Sequence, residues 1–314
     1  MPSTRLDDLL DLSNEVNMVI PIDFNIDETH NSTYALITRL QPLFKVLGTP
    51  ESFCDSELTL DLSKCRYFGP VGIAVLGLLI KELRAKECAV KVVPPTLSPL
   101  NAYSEFSGFA KLCWQGPTAN PDHPQNETTP LVFTSIRRSS DIERVVQLVQ
   151  RHSTMSQDMI VALRTLLAEL LMNIQDHSGA EGVITARWFS KDKTVRVVIA
   201  DLGMGLRRTL AAKYDVSSDQ HAIDLALTER TTSNSRTHNF GNGLPLVRTL
   251  MSYNKGDLIL ASGNAILSYS GLRRQLRPQL DAGIALPGTL CALKFRIDHE
   301  IYDRDDDDTD SVQW

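Results

Sequence analysis

Residues Val195–Gly205 read VRVVIADLGMG. The first six positions are apolar or β-branched apart from Arg196, which is the composition of a buried strand. The strand closes on Asp201, so it carries a carboxylate at its tip. Gly203 and Gly205 follow and let the backbone come close to whatever sits there. A carboxylate in that place can accept a hydrogen bond from an exocyclic amine of the kind adenine presents. The dinucleotide fingerprint does not fit, because the aspartate precedes the glycines and no third glycine follows at the required spacing; a GxxxxGK[ST] phosphate loop occurs nowhere in the chain. Taken alone, the stretch is equally a strand-to-helix turn.

Working outward on the amino-terminal side, residues 158–177 place Met159, Leu163, Leu166, Leu167, Leu170, Leu171 and Ile174 on one face of a helix. Glu169 and Asn173, at i and i+4, stack at the edge of that face. Asp176 and His177 extend the polar stripe by a turn. The carboxylate can orient or deprotonate water, and the amide oxygen is a hard ligand suited to magnesium. The bland alternative is the solvated border of an amphipathic helix.

On the carboxyl side, residues 228–246 read TERTTSNSRTHNFGNGLPL. The run is polar, contains Thr232, and ends at Gly241, Asn242, Gly243 and Leu244 before another helix. Backbone amides flanked by glycine at a helix start attract phosphate, and the polar run is expected to be a lid that orders on ligand binding. A plain surface loop is the alternative. Pro287-Gly288-Thr289 then opens the last strand, with a hydroxyl available to complete a base pocket.

The rest of the chain divides around a stretch with four prolines, Gln115 to Pro130, which reads as a linker. Boundaries are expected at 1–116, 117–129, 130–300 and 301–314. The first region alternates strand and helix: a strand through Val19, Ile20, Ile22 and Phe24, a helix over Tyr34–Val46, a strand over Leu58–Leu62, a helix over Gly72–Lys86, a strand over Ala89–Val93 and a last helix over Leu100–Phe109. The second carries strands at Leu131–Ile136, Val183–Phe189 and Thr194–Ala200, helices at Asp141–His152 and Asp158–His177, a short helix near Ala222–Thr228, a helix from Leu244, a hairpin over Leu258–Tyr269 and a strand over Thr289–Ile297. The fold class is therefore α/β followed by α+β.

The 314 residues suffice for two domains. Apolar residues make up 42% and charged residues 22%, an ordinary soluble composition. A formal charge of −6 with no basic cluster argues against nucleic acid. The five cysteines, Cys54, Cys65, Cys88, Cys113 and Cys291, show no CxxC spacing, so neither a disulfide framework nor a zinc site is expected, and reduced thiols fit a cytoplasmic protein. The apolar run Val71–Ile80 is too short to span a membrane. The acidic run DRDDDDTDSVQW at 303–314 reads as a solvated tail or an electrostatic decoy for a basic partner.

In order and spacing, Glu169–Ser178 (ELLMNIQDHS), Asp201–Gly205 (DLGMG), Gly241–Leu244 (GNGL) and Gly288-Thr289 resemble the boxes of the GHKL ATPases. This is the Bergerat fold of histidine kinases, gyrase-type ATPases, a class of heat-shock chaperones and the bacterial anti-sigma-factor kinases. The likeness covers residues 130 to 297 and implies an α/β sandwich with a mixed sheet and an ATP lid. It implies ATP and magnesium as cofactors, Glu169 as the residue that positions or activates the attacking group, and Asn173 as the magnesium ligand. Asp201 with Thr289 would read adenine, Gly203 and Gly205 would shape the pocket floor, and Thr232, Gly241, Asn242, Gly243 and Leu244 would belong to the lid over the phosphates. His177 matches a histidine common at that place in anti-sigma kinases; a helix-end cap is its bland reading.

The first region is similar to a STAS domain, through Asp61–Ser63 (DLS), the stretch FGPVGIAVLGLLIKEL and a GF pair near its end. Gly69, Pro70 and Val71 hold the place where signalling members carry a phosphorylated serine, and Ser63 lies too early, so the resemblance implies a docking module without that switch. The functions implied are an ATP-gated regulator of a protein partner, sigma-factor-like or STAS-like, with or without serine-kinase activity, and a slow ATPase that cycles a homodimer. A sensor histidine kinase fits poorly, since no helical hairpin carries its phosphoacceptor motif.

Overall fold

The computed structural model describes residues 17–21, 30–55, 57–65, 69–96, 109–113, 131–136, 138–152, 155–177, 182–228, 243–271 and 273–299. The proline-rich stretch, the segment holding Thr232, Gly241 and Asn242, and the acidic run lie outside these residues, as does most of the expected Leu100–Phe109 helix.

The first region is a three-stranded parallel sheet in the order β1 (Asn17–Pro21), β2 (Glu57–Asp61), β3 (Val90–Val93). Neighbours in sequence are neighbours in the sheet, and right-handed crossovers then place the connecting helices on one face. Those helices are α1 (His30–Arg39), α2 (Gln41–Gly48) and α3 (Pro70–Ala85); α4 (Phe109–Cys113) packs on α3. The single helix expected over 34–46 is two, because Pro42 lacks an N–H and is tolerated only in the first turn of a new helix.

The second region is a seven-stranded sheet. Its strands are β4 (Leu131–Ile136), β5 (Gly182–Phe189), β6 (Thr194–Asp201), β7 (Asp257–Gly263), β8 (Ala265–Ser270), β9 (Arg273–Leu276) and β10 (Leu286–Arg296), in the order β4-β5-β6-β10-β7-β8-β9. Every pair is antiparallel, which corrects the expected mixed sheet. The cause is the last strand: β10 runs between the hairpins β5-β6 and β7-β8, antiparallel to both. Helices α5 (Ser139–His152), α6 (Gln157–His177) and α9 (Gly243–Tyr253) lie on one face, and the shorter α7 (Gly205–Leu210) and α8 (Asp219–Ala226) join the layer.

Alternate residues divide this sheet between two cores. Val195, Val197 and Ile199 of β6 and Cys291, Leu293 and Phe295 of β10 pack with α5, α6 and α9. Val198 and Ala200, with Leu290 and Ala292, turn the other way and share a core with α1, α2 and α3. The whole of β6 is therefore buried. Twelve residues of α3 are buried as well, since the helix lies between the two sheets; each large apolar side chain so covered is worth roughly 1.5–3 kcal/mol. The seam carries a few polar ties. Lys81 Nζ donates to Ser135 Oγ at 2.6 Å, and Gln41 exchanges two hydrogen bonds with Asp281 at 2.7 and 3.2 Å.

One cysteine expectation is corrected: Cys54 and Cys88 form a disulfide, their Cα atoms 4.2 Å apart. They stand 34 residues apart in sequence, so local spacing could not reveal them. Cys65, Cys113 and Cys291 are buried and take no part in a disulfide. No helix among the described residues is long and apolar enough to cross a membrane.

Candidate functional site

The helix α6 seats Leu163, Leu166, Leu167, Leu170, Leu171 and Ile174 against the sheet. That leaves Glu169 and Asn173 half-buried at the edge of the packed face. The first turn of α9 meets this edge at Gly243. A Cβ on Gly243 would stand 2.9 Å from Glu169 Oε2 and 3.6 Å from both amide atoms of Asn173. Only a residue without a side chain lets the start of α9 come so near the pair. The helix start brings its unsatisfied N–H groups and the positive end of its dipole. Burial pushes the Glu169 carboxyl above its ordinary range. Asn173 Nδ2 is shielded from solvent and has no hydrogen-bond partner among the described residues, an arrangement that costs about 1–3 kcal/mol when nothing fills it.

Across the cleft, Asp201 ends β6 and is 7% exposed. Burial pushes its carboxyl up to about 6, against the pull of backbone hydrogen bonds from Gly203 and Thr289; the Gly203 N–H donates at 2.7 Å. Two amides leave about half of a carboxylate's acceptor sites open. Thr289 stands opposite Asp201 in the β6–β10 ladder. Just before it the β7–β10 register shifts, and Gly288 at the shift has φ +83°; a Cβ there would fall 2.1 Å from the Asp201 carbonyl oxygen. Gly205, at φ +72°, opens α7 with its Cβ position 3.0 Å from Ser262 Oγ. Ser262 ties these turns together: its hydroxyl donates to the Gly288 carbonyl at 2.8 Å and accepts from Leu206 N–H at 2.9 Å.

Between the two sides lies a small cleft of about 50 Å³ that opens to solvent. Of the residues read from sequence, Asn173, Asp201, Gly205, Leu244 and Thr289 line it. Gly203 holds Asp201 from behind, and Glu169 stands beside Gly243. Thr232, Gly241 and Asn242 lie outside the described residues, and His177 is the last residue of α6. The sequence reading missed Thr209, Leu206, Leu260 and Cys291 in the lining, and Ser262 behind it. Thr209 Oγ1 donates to the Gly205 carbonyl at 2.8 Å. Burial pushes the Cys291 thiol up to about 12, so it is a neutral, apolar part of the wall. A mostly apolar cleft with a few convergent polar groups is the usual form of a small-molecule site. Among the described residues no group of three His, Cys, Asp or Glu side chains converges on a metal position.

No family model matches the chain, and no curated protein matches it. Among solved structures it is similar to the ATP-binding domain of topoisomerase IV from Francisella tularensis in complex with a small-molecule inhibitor. The identity is 13% and the TM-score 0.27, over 56% of this chain and 81% of that one. A likeness at that level has no bearing on what the cleft holds.

Proposed function

We propose that the cleft binds an adenine nucleotide with magnesium in the manner of the GHKL proteins, and that the nucleotide state governs a protein partner. The observation that carries this reading is the convergence of Asn173, Asp201 and Thr289 on one largely apolar cleft whose mouth meets a helix start at Gly243. These residues come from elements far apart in sequence, and they fall in the four stretches that resemble the GHKL boxes.

The donor set fits the ligand. Asp201 accepts from the amine of the base, with the Thr289 hydroxyl beside it. Ile199, Leu260 and Cys291 exclude water from the ring. The first-turn amides of α9 face the phosphates. Asn173 is the residue that would hold magnesium, through its amide oxygen; that ion takes few protein ligands and completes its shell with water and phosphate oxygens. Magnesium, when bound, neutralises phosphate charge. Glu169, its carboxyl raised by burial, is suited to take a proton from an attacking hydroxyl or water. The glycine-flanked polar run 228–246 would close over the phosphates and change the surface a partner meets, so that differential affinity transmits the nucleotide state. The first region would serve as the STAS-like docking module. Gly69, Pro70 and Val71 stand at the start of its α3, where a phosphoacceptor serine would otherwise be.

A second reading, slow hydrolysis driving a dimer cycle, draws on Glu169, which pure binding does not require. Incubation with labelled ATP and magnesium, with and without a STAS-domain or sigma-factor partner, separates the two. Label on a partner's serine supports the kinase, free phosphate without a partner supports the ATPase, and bound ATP without turnover supports a nucleotide-gated module. Absence of bound ATP would overturn all three.

A further inference from the structure

The turn that completes the base end of the cleft does not stand on the second region alone. β10 opens at Leu286, and its register with β7 shifts before Thr289. Gly288, inside that shift, lies against the Asp201 carbonyl, and the Thr289 N–H donates to the Asp201 carboxylate. An irregularity of this kind re-aims the side chains beside it. The direction in which the chain enters β10 therefore decides where the Thr289 hydroxyl stands. Residues 277–285, which join β9 to β10, set that direction.

This connection is tied at its start to the second region. Arg277 N–H donates to the Ile266 carbonyl at 3.3 Å and Leu280 N–H to the Asn264 carbonyl at 2.9 Å. From there the first region takes hold. The Arg277 guanidinium lies over the Tyr34 ring of α1, 5.4 Å from its centroid. Leu280 and Leu286 are buried in the core that holds Leu43, Phe44 and Leu47 of α2, and Ile284 packs against it. Gln41, the first residue of α2, accepts from the Asp281 N–H at 2.7 Å and donates through Nε2 to Asp281 Oδ2 at 3.2 Å. Thr289 and Leu290 themselves are fixed by the β6–β10 ladder, so the first region reaches the turn through this connection and not through the packed face of the sheet.

We infer that Gln41 is a positioning residue for the Gly288-Thr289 turn, and that the first region thereby helps to set the affinity of the cleft for its base. The inference rests on the adenine reading of the cleft. Gln41 touches no ligand; it acts by holding Asp281, seven residues before Gly288. A segment fixed at both ends has fewer conformations to give up when a ligand binds. One net hydrogen bond shifts a local equilibrium by about 2- to 10-fold, so the pair at Gln41 is large enough to read in binding. The base site then responds to whatever moves α1 and α2.

Contact alone does not make coupling, but the polarity of this bond can be reversed. Gln41→Glu in the full chain sets two carboxylates against each other. Adding Asp281→Asn restores both bonds, the backbone N–H to one carboxylate oxygen and the new amide to the other. Amide hydrogen exchange over 286–290 without ligand, and calorimetric affinity for ATP with magnesium, are the two readouts. Gln41→Glu should speed that exchange at least about fivefold and weaken ATP at least about fivefold. The double variant should return both to within about twofold of the wild type, and exchange over α5 should stay as it was throughout. Unchanged exchange over 286–290, an equal rise over α5, or a double variant no better than the single would each overturn the inference. So would faster exchange over 286–290 with ATP affinity untouched. A wild type that takes no ATP while exchange follows the expected pattern sinks the adenine reading and upholds the Gln41 tie.

Discussion

The two faces of the seven-stranded sheet are made by alternate residues of the same strands, yet they are finished differently. On the face toward α1, α2 and α3, Val183, Val198, Ala200, Ile259, Ala261, Leu290 and Ala292 join a continuous apolar core. On the face toward α5, α6 and α9 the core is as apolar through most of its extent but is interrupted at one end of β6. There Asp201 is held buried, the Asn173 amide nitrogen has no partner among the described residues, and Gly288 and Gly205 adopt left-handed backbone. A buried carboxyl and an orphaned amide lower stability, and polar groups of that kind persist where a ligand uses them. The first face also buries polar side chains, at Thr185 and Arg196; what distinguishes the second is that a carboxyl, an amide and two left-handed glycines gather about one cleft.

The contrast is broken most severely from the sealed face. Leu290→Ala removes a fully buried side chain and should cost about 2–5 kcal/mol in urea unfolding. Leu290 does not line the cleft, so ATP affinity below the transition should be unchanged; a loss of affinity at full folding would mean the faces are not separable.

Asp201 offers the next test. Its carboxyl titrates at about 6 in the fold and near 3.9 in an unfolded chain. Below about pH 4 both states hold the proton, and the group exacts no penalty. As pH rises towards 6 the unfolded chain releases the proton first, so stability falls, by roughly 2–3 kcal/mol in total. Asp201→Asn should remove this slope, and the melting temperature of the wild type should drop relative to the variant between about pH 4 and pH 7. Parallel profiles would contradict the burial argument.

Smaller effects sharpen the comparison within the cleft. Gly243→Ala places a methyl group 2.9 Å from a carboxylate oxygen that can swing aside. Stability should change by under about 1 kcal/mol, while nucleotide turnover falls by at least about tenfold as Glu169 is displaced; retained turnover would remove Glu169 from the mechanism. Asn173→Ala removes the buried Nδ2, which has no partner among the described residues, and should raise stability by about 1 kcal/mol in thermal unfolding. It should nonetheless abolish the magnesium dependence of ATP binding, and a persistent magnesium effect in titrations would count against Asn173 as ligand.

Most elements were legible because their periodicity was local. The strand Leu131–Ile136 and the helices ending at His152 and His177 follow from apolar spacing alone. β9 was not legible, since RRQL neither alternates nor carries an apolar face, and α7 is a six-residue helix inside a polar stretch. The insertion of β10 between β6 and β7, which makes the sheet antiparallel, is a long-range pairing that no window of sequence records. In the site, Asp201 and the Glu169/Asn173 pair stood out by their place on a strand tip and a helix edge. Ser262 did not, because its meaning lies in two backbone groups, at Leu206 and Gly288, that only the fold brings to it. The reach of α3 across both sheets was likewise hidden: its run of apolar residues says buried, not by what.

Calorimetric titration of the protein with ATP and magnesium, beside the Asp201→Asn variant and with GTP as the competing base, tests the central claim most directly. A saturable heat with ATP, much weaker with GTP and strongly reduced in Asp201→Asn, is the predicted result. No heat with ATP, or equal affinities for the two bases and for the variant, would contradict an adenine pocket at the tip of β6.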